Sequence, residues 1–94
     1  MGNNGYNHIS NSLRKYRKAR GLKQKEVAQI LRLKSTGMIS RWEKGICLPS
    51  TLNVFRMAVV YRTMVDSLYV DMLRGLKEEL KQRETAILGK SKGR

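Results

Sequence analysis

Cysteine and histidine occur once each in this chain, as Cys47 and His8. A lone cysteine closes no disulfide within the chain, which suits a reducing compartment. One thiol and one imidazole cannot furnish the four ligands of a structural zinc site, so no metal is expected. Acidic residues are scarce, 7 in all. Neither a carboxylate pair suited to acid–base chemistry nor a glycine-rich phosphate loop is evident. Cys47 has no evident base beside it, and a small buried or half-buried hydrophobe is its expected role. No catalytic residue and no cofactor are therefore expected. No apolar run approaches the roughly 20 residues that span a bilayer, and no signal-peptide core is present. The expected location is the cytoplasm, with no membrane partner. There is a single proline, Pro49, and no strand-like alternation of polar and apolar residues. Both absences favour helices throughout.

What the chain has in excess is positive charge. Lysine and arginine number 20, for a formal net charge of +13. A polyanion is the expected partner, nucleic acid before an anionic membrane surface. The charge is concentrated: from Leu13 to Gly45 eleven Lys/Arg face two acids, Glu26 and Glu43, a net +9 in about a third of the chain.

Residues 1–9 are rich in Asn and Gly and read as a flexible N-terminal segment. Ser10 or Ser12 can cap a helix starting near Leu13 and ending at Gly21. QKEVAQIL reads as a second helix with Val27, Ala28 and Leu31 on one face. A turn follows, RLK, with Leu33 buried. A third short helix is capped by Ser35 and ended by Gly45. Ser50 caps a fourth, whose expected inner side is Val54, Phe55, Ala58 and Tyr61. A last, longer helix begins at Asp66 or Ser67 and runs through Leu88, before a basic tail, GKSKGR. The expected fold is all-α: a five-helix bundle with an extended C-terminal helix.

The stretch STGMISRWEKG, Ser35 to Gly45, is unusual. On a helix, Ile39 and Trp42 face one way, while Thr36, Gly37, Ser40, Arg41 and Lys44 fall on the other side at spacings of three and four. A face this thin fits a DNA major groove, roughly 12 Å wide. Arg41 can then offer two parallel donors to guanine, Thr36 and Ser40 can bond bases or phosphates, and Lys44 at the exit suits a phosphate. On this stretch alone, a solvated polar face on an ordinary small helix is the alternative reading.

The context changes that balance. LRKYRKARGLKQKEVA, ISRWEKG and LPS leading into an apolar helix occur in order within residues 13–61. This set resembles the helix-turn-helix domain of phage repressors and the xenobiotic-response-element (XRE) regulators. The resemblance implies a repressor-like bundle in which Gln24 bonds a phosphate and braces the recognition helix. It places Thr36, Gly37 and Arg41 at base edges and Lys44 at the backbone. The candidate DNA-binding set is Gln24, Lys34, Ser35, Thr36, Gly37, Ser40, Arg41 and Lys44. Arg17 and Glu43 fall where the family has a partly buried ion pair joining the first helix to the third. Three departures stand out. Arg32 occupies the turn position where glycine is usual, and would be strained if that position needs positive φ. RLKSTGM is one residue longer than the usual turn, which would shift base reading by one position. Lys23 replaces the usual Ser/Thr cap.

The domain boundaries follow: a flexible segment over 1–9, a DNA-binding domain over 10–69, and a C-terminal helix with basic tail over 70–94. Beyond the resemblance, Leu68, Tyr69, Met72, Leu73, Leu76, Leu80 and Ile87 form an apolar stripe. It reads equally as packing on the chain's own bundle or as a two-fold dimer seam, because regulators of this type bind paired half-sites. The expected function is a sequence-specific double-stranded DNA-binding regulator, a repressor or autoregulator, acting as a homodimer. The alternative is an antitoxin-like module that binds a protein partner through its C-terminal helix.

Overall fold

The computed structural model describes residues 8–89. The expected flexible segment therefore lies almost wholly outside the described residues, as does the basic tail after Gly89. The described chain is all-helical: α1 (Leu13–Ala19), α2 (Gln24–Ile30), α3 (Gly37–Glu43), α4 (Thr51–Tyr61), α5 (Val65–Leu68) and α6 (Val70–Leu88). The core gathers Leu13 from α1, Val27 and Ala28 from α2, Ile39 and Trp42 from α3, Met57, Ala58 and Tyr61 from α4, and Leu68 and Tyr69 around the end of α5. Burying the larger of these, such as Leu13, Ile39 and Met57, stabilises the fold by about 1.5–3 kcal/mol each.

The helix count is six among the described residues, against five expected. The last segment starts earlier, at Val65, and breaks at Tyr69, whose φ of −134° and ψ of 54° are not helical. The break has a visible cause. Leu68 is fully buried and its carbonyl accepts the Ser12 N–H (2.9 Å), which ties it to the chain entering α1. Ser10 Oγ donates to Asp71 Oδ2 (2.8 Å) in the first turn of α6. With α5 and the first turn of α6 each tied to the N-terminal strand of chain, Tyr69 takes up the change of direction. α6 then leaves the body, and none of its residues is buried.

Other helix ends also differ from expectation. Ser12 stands at the start of α1, but its side chain makes no capping bond; Asn11 Oδ1 accepts from Leu13 N instead (3.0 Å). Thr36, not Ser35, is the N-cap of α3, and Ser35 Oγ accepts from Gly37 N (3.2 Å). Lys23 begins α2 in an extended conformation, with its own N–H held by the Glu26 carboxylate (2.8 Å). Ser50 caps α4 through Asn53 N (3.2 Å). Arg32 has a φ of 61° and Arg62 a φ of 58°, so each ends its helix in the left-handed region with a bulky side chain. That conformation costs an L-residue roughly 1–2 kcal/mol.

On α4 the expected inner side is wrong at one position. Phe55 is 55 % exposed, and Met57 is buried in its place. The helical period explains the exchange. Met57, Ala58 and Tyr61 share the inner face at spacings of one and three, and Phe55 falls on the outer side with Leu52 and Val59.

Two glycines with positive φ invite a direct comparison. Gly21 (φ 72°) has open space where a Cβ would stand. At Gly45 (φ 76°) a Cβ would come within 2.5 Å of the Ile9 carbonyl oxygen and 2.8 Å of its nitrogen. Gly21→Ala is expected to cost about 1–2 kcal/mol, the left-handed strain alone. Gly45→Ala is expected to cost clearly more, because backbone atoms must move. Urea unfolding of both variants checks this; equal losses would refute the role given to Ile9.

Candidate nucleic-acid interface

α2 and α3 are joined by residues 31–36, and α3 lies with Ile39 and Trp42 sunk into the core. The opposite side of α3 stays out. Gly37, Arg41 and Lys44 are exposed, and Thr36 and Ser40 are half-buried beside them. Lys34 and Ser35 are exposed on the turn before α3, and Gln24 is half-buried at the first position of α2. Thus α2, the turn and α3 carry all eight candidate DNA-binding residues, and none of the eight is buried. Apart from its link to Ser35, Gly37 has no atom that would crowd a Cβ, so its missing side chain leaves the outer face of α3 open.

The inner end of α3 is held by a polar knot. Glu43, the last residue of α3, receives Arg17 Nε at Oε2 (2.5 Å) and Arg17 Nη2 at Oε1 (3.1 Å). The same Oε1 accepts from Gln24 Nε2 (3.0 Å). Arg17 Nη1 donates to the Leu22 carbonyl (2.8 Å), so the guanidinium also pins the chain just before α2. The two charged side chains are only 9 % and 5 % exposed. A bidentate arginine–carboxylate pair is among the stronger polar contacts a protein makes. The bond to Glu43 holds the Arg17 guanidinium charged and raises its pKa, against the opposing effect of burial. One carboxylate therefore links α1, α2 and α3.

A second clamp acts on the backbone. Asn11 Nδ2 donates to the Trp42 carbonyl (3.1 Å) and to the Ile9 carbonyl (2.9 Å), and lies 3.4 Å from that of Glu43. Ile9 N donates to the Gly45 carbonyl (2.9 Å). The C-terminal carbonyls of α3, otherwise left without partners, are so covered by the chain that enters α1. Sequence reasoning missed Asn11. Its one visible signal is an amide two residues before a helix, and that signal says nothing of a carbonyl 31 residues away.

Met38 was also missed. It lies on the outer side of α3, exposed, with its sulfur 3.8 Å from Arg41 Nη1. An exposed methionine on a helix otherwise lined by Thr, Gly, Ser and Arg is a signal the sequence did contain.

Among the described residues no group of three His, Cys, Asp or Glu side chains could hold a metal ion. No described helix is long and apolar enough to cross a membrane. This geometry — a short helix seated by two core residues, clamped at its end and bare on its outer face — is that of a helix-turn-helix unit. Residues 13–66 match the family model described as Helix-turn-helix, of the XRE type. The chain belongs to that family. No curated protein and no solved structure matches it. The XRE-type helix-turn-helix is a DNA-binding domain, and transcription regulation is the activity of its family.

Removing one partner of a buried pair strands the other. Glu43→Ala is expected to cost about 3–5 kcal/mol of folding stability. Arg17→Met should cost a comparable amount, and the double variant clearly less than the sum. Denaturant unfolding of the three variants decides it; additive small losses would mean that the pair does not couple the helices.

Proposed function

We propose that this protein is a sequence-specific regulator that binds double-stranded DNA as a homodimer in the cytoplasm and acts as a repressor or autoregulator. The observation that carries the reading is the outer face of α3: Gly37, Arg41 and Lys44 exposed at spacings of four and three, with Ile39 and Trp42 anchoring the opposite side. α3 enters the major groove. Arg41 reads a guanine edge through two parallel donors, and Thr36 and Ser40 bond bases or phosphates. Met38 offers an apolar contact of the kind that recognises a thymine methyl group. Gln24 and Lys44 bond phosphates at either end of the unit, and Lys34 and Ser35 line its approach. Gln24 keeps one amide hydrogen and its carbonyl for this while the other hydrogen holds Glu43.

The net charge of +9 over α1–α3 supplies the sequence-independent part of the affinity. Two copies are needed because this fold reads paired half-sites. The exposed apolar stripe of α6 supports self-association. The same stripe also favours a second reading, an antitoxin-like contact with another protein; sedimentation of the chain alone separates the two, since only the first requires a dimer without a partner.

Selection from a random duplex library tests the proposal, with a defined site of two half-sites as the expected result and no enrichment as the refuting one. On that site, neutralising about six to eight phosphates per dimer should give a log–log salt slope near −5 to −7. Arg41→Ala is expected to cost about 1–3 kcal/mol and to relax the choice at one base position. Lys44→Ala is expected to weaken all sequences alike and to make the salt slope shallower by about one. Even losses across all single-base variants with Arg41→Ala would make Arg41 a phosphate clamp instead.

A further inference from the structure

Two apolar surfaces have no partner among the described residues. The first is the outer face of α4. Leu52, Phe55 and Val59 project there at helical spacing, and with Ile30 of α2 they border a groove of about 400 Å³. Val59 is 76 % exposed. α4 is thus apolar on both sides, buried on one and bare on the other, and a helix apolar all round is expected to be covered. Among the described residues the one charged side chain lining the groove is Arg56. The second surface is the stripe of α6: Leu73, Leu76 and Leu80, flanked by Lys77, Lys81 and Glu84.

The stripe is poorly built to pair with its own copy. A coiled coil needs its seam sustained over three or four heptads, and α6 has 19 residues. At the fourth seam position, between Leu80 and Ile87, stands Arg83, ion-paired to Glu79 (2.8 Å). In a parallel two-fold seam two such arginines would meet. Nor does α6 reach its own groove. A single residue, Tyr69, separates it from α5, and both sides of that joint are tied to the N-terminal segment.

Charge selects the occupant. Outside its C-terminal region the chain is strongly basic, so two bodies repel. α6 carries four acids, Asp71, Glu78, Glu79 and Glu84, against four bases, and is neutral as a whole. Among the described helices it is the long one with no net charge; its stripe is flanked by Lys77 and Lys81 as well as Glu84, and Glu84 is the side chain there that complements Arg56 beside the groove.

We infer that α6 of each copy lies in the α2–α4 groove of the other, so that the dimer exchanges its C-terminal helices. This rests on the homodimer reading above and specifies its contacts. The arrangement is two-fold symmetric, with each interface made twice, and it buries both bare surfaces at once.

Cross-linking in the absence of DNA tests it. Cys47→Ser/Val59→Cys and Cys47→Ser/Leu80→Cys chains, each with its new cysteine at an exposed position, are mixed and treated with a short bismaleimide. The expected product is a covalent dimer between position 59 of one chain and position 80 of the other. Predominant 80–80 links would overturn the proposal in favour of a seam between the two α6 helices, and 59–59 links in favour of an α4 pair. A chain carrying both cysteines and linked within a monomer would show α6 folding back, and also overturns it. Sedimentation of the unmodified chain as a monomer of 10.8 kDa would remove the homodimer itself. Phe55→Glu, also at an exposed site, should weaken the dimer about tenfold or more if the groove is the contact. None of these outcomes depends on DNA binding, so failure here and failure of the library selection are separate results.

Discussion

The joining of α1, α2 and α3 depends on one buried carboxylate. Glu43 is met by Arg17 from α1 and Gln24 from the first residue of α2, and it sits at the end of the helix that it positions. Short helices have little stability of their own. α1, α2 and α3 have seven residues each, so each is held by what it touches. Core burial of Trp42 and Ile39 decides which side of α3 faces in, but apolar contacts tolerate sliding. A bidentate ion pair with a third hydrogen bond does not, and it fixes the angle at which the outer face is presented. Burying a charged pair is not the cheapest way to stabilise a fold. Its value here is geometric.

The same economy shows in the distribution of charge. The body is basic because it must meet a polyanion, yet its interior polar groups use little of that charge. Of the eleven cations between Leu13 and Gly45, Arg17 is the one that is buried. Arg20 is half-buried and donates to the Val60 carbonyl at the end of α4. Most of the rest stay in solvent, where they attract phosphate at long range and at a salt-dependent strength. α6, neutral as a whole, adds nothing to that field.

The bare outer side of α4 and the bare stripe of α6 are two halves of one problem. A chain of this size cannot bury all its apolar side chains in a single small core. Here the surplus is not scattered. It is collected on two helical faces, one lined by Arg56, the other flanked by Lys77, Lys81 and Glu84. Collected surplus of this kind marks a contact surface rather than an unremarkable exterior.

Much was legible in the sequence. Helical periodicity, the glycines at 21 and 45, and Ser50 before an apolar run marked most of the helices, and the ordered set LRKYRKARGLKQKEVA, ISRWEKG and LPS named the family that the chain belongs to. The thin face of α3 was readable because composition alone shows that Thr, Gly, Ser and Arg leave little bulk. What stayed hidden involved partners distant in the chain. The break at Tyr69 arises because Ser12 takes the Leu68 carbonyl, and nothing near residue 69 signals it. Phe55 faces outward because Met57, Ala58 and Tyr61 hold the inner face, and with apolar residues on both sides of α4 the pattern alone did not say which side turns in. Asn11 covers carbonyls at the end of α3 that only the folded chain brings beside it. Local pattern and charge thus determined which segments are helices and what the chain meets. Tertiary structure decided which face of each helix is free, because that depends on which of several equally apolar neighbours arrives.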